Sequence, residues 1–248
     1  MFATIADVQM NESTIDYFDA TSAASPIVVV SPHYDDAVFS CGGLIGVSPC
    51  LIVATVYTGL PANPGVLTDG DRRCGFSSAG EAMRERAAEN RKALALLHAD
   101  NIDFGFLDSQ YVRDPDNGSD LLTSVLAAAI AQIQPAAIFF PLGLFHSDHI
   151  RVSDALIALS SGFRAIQWSA YEDIPYRKNS QLVVQRLSQL KERGVNATSL
   201  RIEGAPGNKS AAVEAYRSQF RGLGYEDGRP ILHQPEQYWR LRSTTEQL

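Results

Sequence analysis

Cysteine, basic charge and long apolar runs are all in short supply in this chain. Its 248 residues include only three cysteines, Cys41, Cys50 and Cys74. An odd count without a CxxC pair fits neither a disulfide framework nor a thiolate metal site. Reduced thiols in a cytoplasmic protein are expected instead. Acidic residues outnumber basic ones by 28 to 21, giving a net charge of -7. The basic face that a general nucleic-acid binder turns toward phosphates is therefore missing, and no nucleic-acid partner is expected. No apolar stretch is long enough to span a bilayer. The opening residues, MFATIADVQMNESTIDYFDA, show no basic start followed by an apolar block, so neither secretion nor a membrane partner is expected. GxSxG is absent, which removes the nucleophile elbow of serine hydrolases, and the glycines match neither the P-loop nor the dinucleotide spacing. No internal repeat or low-complexity block is visible.

What is present is an alternation of two patterns. Short, continuous, β-branched or aromatic runs lie at residues 27–30, 51–57, 102–107, 136–140 and 165–168. Such runs suit strands buried on both faces. Helical periodicity occupies residues 81–97, with Met83, Ala87, Asn90, Leu94 and Leu97 on one side. Further helices are predicted at 120–132, 148–160, 181–193 and 209–221, with a strand at 199–202. The alternation predicts an α/β fold: a doubly wound, Rossmann-like three-layer sandwich with a mainly parallel sheet. One domain is expected over residues 1–248, since no linker interrupts the pattern and the length suits a single core. The segment 58–80 reads as a long Gly- and Pro-bearing loop, of the kind that borders a site.

Chemistry concentrates at two predicted strand ends. The first strand runs into Ser31-Pro32-His33-Tyr34-Asp35-Asp36, and the fourth into Pro141-Leu142-Gly143-Leu144-Phe145-His146-Ser147-Asp148-His149. These segments hold three of the five histidines. Ligands of doubly wound sheets bind outside the carboxyl ends of strands, which is where both segments fall. Two histidines and one carboxylate with an open position form a recurrent catalytic zinc set. A spare carboxylate can take a proton from water, and a spare histidine can serve an oxyanion or a departing amine. Each piece alone has a plainer reading: an Asp-Asp pair after a strand commonly caps a helix, and Asp148 suits the N-terminus of the next one. Two such clusters at the ends of buried strands favour function.

SPHYDDAVFSCGG resembles the PHxDD signature of the PIG-L/LmbE-like deacetylases, and HSDH resembles that family's HxDH signature. Arg86-x-x-Glu89 on a helix, Phe106-Leu107-Asp108-Ser109 and Tyr171-Glu172-Asp173-Ile174-Pro175-Tyr176 extend the similarity over about residues 26 to 220. The resemblance implies His33, Asp36 and His149 as zinc ligands and Asp35 as the general base. It implies His146 as the group that assists the tetrahedral intermediate, Asp148 as its orienting partner, and Arg86 and Asp108 as substrate contacts. The implied reaction is removal of an N-acyl group, acetyl above all, from a small amino-sugar-like molecule, with Zn2+ as cofactor. Ferrous iron or cobalt would also suit two histidines and an aspartate. Ala37 stands where the family often has Glu, and Leu144 where some relatives have a tyrosine of the oxyanion hole. Tyr111, Tyr171 or Tyr176 are the residues expected to substitute.

Two alternatives stand beside this reading: a catalytically silent sugar-binding or regulatory protein of the same fold, and a metallo-amidase acting on a non-sugar amide. The sequence does not separate a monomer from a homo-oligomer. Outside the two segments, His98 reads as a helix C-terminal charge, His233 as structural, and Lys209 as solvated. Trp168 and Tyr171 suit core packing or a sugar platform equally. Asp173 either lines the site or fixes a turn. The Gly42-Gly43 pair is expected to let a helix approach the first strand.

Overall fold

The computed structural model describes residues 15–22, 25–112, 119–203, 209–224 and 234–244. His233 lies outside them. Eight strands among these residues form one mixed sheet: β1 (Asp16–Asp19), β2 (Ile27–Ser31), β3 (Leu51–Thr55), β4 (Asp100–Asp103), β5 (Ala137–Pro141), β6 (Gln167–Tyr171), β7 (Val195–Glu203) and β8 (Tyr238–Ser243). Their spatial order is β1-β7-β8-β6-β5-β2-β3-β4. β8 runs antiparallel to both β6 and β7, while the other pairings are parallel. The chain leaves β2 toward β3 and β4, then returns to β5 on the other side of β2. This reversal makes β2 and β5 neighbours, with Ile27 opposite Ala137 and Val29 opposite Phe139. It therefore brings together two strand ends more than a hundred residues apart.

The two central strands are buried along their whole length. Alternate residues feed separate apolar clusters. Ile27, Val29 and Phe139 join one with Phe39, Leu44, Leu94 and Phe220. Val28, Val30, Ile138 and Phe140 join another with Leu126, Leu156 and Leu190. Full burial of each such side chain is worth about 1.5–3 kcal/mol. Helices α1 (Asp36–Val47), α2 (Asp69–Cys74), α3 (Ala79–Leu96), α7 (Lys209–Val213) and α8 (Arg217–Gly222) pack among themselves. Helices α4 (Ser119–Ile133), α5 (Ser147–Ser160) and α6 (Ser180–Glu192) supply the second cluster.

Several elements differ from the sequence reading. The apolar run 102–107 is strand only to Asp103. Phe104 and Phe106 pack into the core from a loop held by single backbone bonds to Thr55 and Val56. The helix expected over 209–221 is two short helices, because Tyr216 turns inward between them. Its hydroxyl lies 2.8 Å from Asn90 Oδ1 and 3.0 Å from the Tyr34 carbonyl. The strand expected at 199–202 extends to nine residues through its pairing with β8. The loop 58–80 contains α2, started by a capping box of Thr68 and Asp71. Gly42 and Gly43 do not serve the strand. A Cβ on either would meet Lys209 or Glu236 at under 3 Å. The glycines thus make room for the Lys209–Glu236 ion pair (2.6 Å), whose lysine is largely buried rather than solvated.

Candidate metal centre

The first signature is a tight turn wired to itself. Ser31, fully buried at the end of β2, donates to the His33 carbonyl (2.5 Å) and accepts the Ala37 N–H (3.0 Å). The His33 N–H donates to Asp36 Oδ2 (2.9 Å). Asp35 occupies the N-cap of α1, yet its side chain makes no capping hydrogen bond. The plain reading of this carboxylate as a cap therefore does not hold.

The second signature starts from β5. Gly143 sits at φ +82°, and a Cβ there would meet Ser153 at 3.0 Å, so only glycine fits. His146 is the N-cap of α5, and its Nδ1 accepts the Asp148 N–H (3.2 Å). In the neutral ring the proton therefore resides on Nε2.

Because β2 and β5 are adjacent, the two segments meet. Asp36 Oδ2 lies 3.2 Å from His33 Nδ1 and 3.1 Å from His149 Nε2. Ligands held ~2.0–2.1 Å from a tetrahedral zinc stand roughly 3.3 Å apart, so these atoms are spaced for one ion. His33, Asp36 and His149 form a triad of ligand atoms within 4.8 Å of one another, and His33, His146 and Asp148 form a second. The His33–His146 and His33–His149 ring centroids are 5.1 and 5.4 Å apart.

The electrostatics suit a cation. Burial works against charge on His33, but Asp108, Asp148 and Asp36 outweigh it and raise its pKa well above normal. Burial likewise opposes charge on His149, yet Asp36 and Asp173 raise it to about 9. For Asp36 burial is overcome by His149 and His33, which hold the carboxyl well below its usual range. Metal-free, the surrounding carboxylates thus hold two imidazoles in their positive form. A divalent ion supplies the same charge and releases those protons. Asp35 behaves oppositely: burial and the Asp36 charge push it up to about 7. Burial and the charges on His33 and His149 lower the pKa of His146.

The remaining expected residues fall at varying distances. Asp148, fully buried, points Oδ2 at His33 Nε2 (3.2 Å) and accepts the Ser109 N–H (3.1 Å). The same oxygen is 3.9 Å from His146 Nδ1, so its closer imidazole is His33. Asp108 lies 3.8 Å from His33 Nε2. Arg86 sits further back against Asp71 (3.3 Å), and its buried Nε has no hydrogen-bond partner among the described residues. Asp71, within the segment 58–80, also accepts from the Tyr111 hydroxyl (2.9 Å). Of the three candidate tyrosines, Tyr171 is fully buried and donates to the Val30 carbonyl. Tyr111 is taken by Asp71. Tyr176 remains, its ring 5.4 Å from that of His149 and 5.5 Å from that of the exposed Phe145. Asp173, undecided from sequence, contacts His149 directly. Its place past a predicted strand, within the 171–176 segment that shares the family resemblance, is the signal the sequence offers.

The family profile described as PIG-L: GlcNAc-PI de-N-acetylase matches residues 28–160, which include both signatures. Among curated proteins, the 2'-N-acetylparomamine deacetylase of Streptomyces fradiae is 26% identical over 204 residues, covering 77% of this chain and 72% of the relative. Among solved structures, the A40926 pseudoaglycone deacetylase Dbv21 superposes with a TM-score of 0.70 at 23% identity, over 88% of this chain and 97% of that one. A deacetylase–teicoplanin complex gives a TM-score of 0.70 at 21% identity, over 88% and 99%.

Proposed function

The chain belongs to the PIG-L family of GlcNAc-PI de-N-acetylases, and we propose that it hydrolyses the N-acetyl group of an amino sugar carried on a small molecule, with zinc held by His33, Asp36 and His149. The observation that carries this is the convergence of Asp36 Oδ2 on one nitrogen of each imidazole, beside an Asp35 carboxylate that caps nothing.

Bound there, a divalent cation would polarise the amide carbonyl and acidify a water molecule. Asp35 takes the proton of the attacking water. Burial and the Asp36 charge, which push the metal-free carboxyl up to about 7, make Asp35 the more basic of the two aspartates. His146, with its proton on Nε2, donates a hydrogen bond to the carbonyl oxygen as it gains charge, and the proton that Asp35 took from the water passes to the departing nitrogen. Asp148 orients His33 through Nε2 and reaches His146 through its backbone N–H. Tyr176, whose ring stands 5.4 Å from that of His149 and 6.5 Å from that of His146, is assigned to the oxyanion position that Leu144 leaves without a tyrosine. Asp108, beside His33, and Arg86, held against Asp71, are assigned to substrate hydroxyls. The relative named for 2'-N-acetylparomamine supports a small amino-sugar substrate.

The fold reading accompanies this proposal. Apolar clusters on alternate sides of β2 and β5, and the reversal of strand order between them, support a doubly wound, Rossmann-like three-layer sandwich. No helix among the described residues is long and apolar enough to cross a membrane. We place the protein in the cytoplasm on its three free cysteines.

The test is amine release from a panel of N-acetylated amino sugars, comparing chelated, zinc-restored and Asp35→Asn protein. Release that requires metal and disappears in Asp35→Asn is expected. A wild-type chain that binds no stoichiometric metal would sink the proposal.

A further inference from the structure

We infer that Asp173 is a positioning residue that sets two parts of the site with one carboxylate: the ring of His149 and the backbone of the loop that carries His146. The inference rests on the reading of His149 as a metal ligand.

Asp173 follows β6 and is 1% exposed. Its Oδ1 lies 2.5 Å from His149 Nδ1. Its Oδ2 accepts the N–H groups of Gly143 (3.0 Å) and Leu144 (3.3 Å). A carboxylate here only accepts, so His149 must carry a proton on Nδ1. That leaves Nε2, 3.1 Å from Asp36 Oδ2, as the nitrogen that faces the metal. The opposite tautomer would set a nitrogen lone pair against a buried carboxylate.

The second oxygen fixes the backbone just past Leu142. Gly143 is in the left-handed region, and its N–H and that of Leu144 converge on one acceptor at the turn leading to Phe145 and His146. Asp173 is itself held from both sides. Its carbonyl accepts the Tyr176 and Arg177 N–H groups (both 3.0 Å), and the next residue, Ile174, donates to Ser40 Oγ on α1 (3.3 Å).

An amide cannot replace this carboxylate. Asparagine has one acceptor oxygen and one donor NH2. If the oxygen faces His149, the NH2 meets two N–H donors. If the amide flips, it meets the Nδ1 proton. Either way one half of the arrangement is lost.

Two measurements test the inference. In zinc-loaded wild-type protein, 15N NMR of the imidazoles should show His149 protonated at Nδ1, with Nε2 unprotonated. A proton on Nε2 instead would overturn the inference, and this readout needs no variant to fold. Asp173→Asn and Asp173→Ala should then weaken zinc binding about 10–100-fold in competition with a chromogenic chelator. Affinity within about twofold of wild type, in protein with unchanged circular dichroism, would also overturn it. Normal zinc binding by wild type alongside either negative result rejects the role of Asp173 alone. A wild type without stoichiometric zinc rejects the metal centre, and Asp173's role with it.

Discussion

The two strand ends that build the site are held in different ways. The turn after β2 is stabilised largely from within: Ser31, the His33 backbone and Asp36 lie within six residues and bond to one another, with the Tyr57 N–H and the Tyr216 hydroxyl adding bonds to the Pro32 and Tyr34 carbonyls. The turn after β5 is stabilised from outside. Asp173 binds its N–H groups. Arg186, on α6, donates to the Leu142 carbonyl (2.9 Å), Ser153 Oγ (3.0 Å) and Asp154 (2.7 Å). Ser153 Oγ in turn donates to the same Leu142 carbonyl (3.0 Å). The base thus sits on a locally determined frame, and the His146 side on one set by β6 and α6. If so, damage to remote residues should disturb the second half while sparing the first.

The largest effect is expected within the self-contained half. Asp35→Asn should lower kcat about 10²–10⁴-fold, the range for a lost general base, measured on the best substrate of the panel. The same residue gives a pH test. Its folded pKa is raised from 3.8 to about 7. The fold therefore favours the protonated carboxyl, and the contribution of Asp35 to stability is best below 3.8 and worsens as pH rises toward 7. In metal-free protein at pH 8, Asp35→Asn should melt higher than wild type. Activity should follow the opposite sign, rising with pH as Asp35 ionises. A bound cation pulls that limb down from 7 toward 3.8. A variant that is both inactive and less stable would show that Asp35 is structural.

Next in size is the remote brace. Arg186→Met strips the buried Leu142 carbonyl of one of its two donors and removes the ion pair to Asp154, and should cost about 2–4 kcal/mol by urea denaturation. Zinc affinity should fall less than kcat, because the Leu142–His146 loop moves while His33 and Asp36 stay in place. Equal losses in both would show that the two halves are coupled rather than separately held. In the local half, Ser31→Ala removes two short-range bonds and should cost about 1–2 kcal/mol, with zinc affinity falling alongside stability.

The same contrast governs what could be read from the chain. β2 and β5 were visible because strands buried on both faces are continuous apolar runs, and His33, Asp35 and Asp36 were visible because their partners are near in sequence. β1 was not, since only Phe18 of its four residues is buried. β8 was not either, because Arg240 and Arg242 interrupt its apolar pattern, although Arg240 is itself buried over the Phe18 ring. The roles of Asp173 and Arg186 depend on partners about 30 and 44 residues away. No local pattern records such a pairing, and both residue types are ordinary on surfaces.

The smallest effect concerns recognition. Phe145 is 66% exposed immediately before His146, with its ring against Tyr176. An apolar ring kept in water beside the reacting groups loses little by being covered, and a sugar face or an aromatic aglycone can cover it. Phe145→Ala should raise KM about 2–10-fold, the effect of losing one aromatic contact worth about 0.5–1.5 kcal/mol. The effect on kcat should be smaller, and stability should change by no more than about 0.5 kcal/mol. If KM is unchanged while the melting temperature drops, Phe145 is a packing residue for Tyr176. The outward-facing part of the externally held half would then have no role in choosing the substrate.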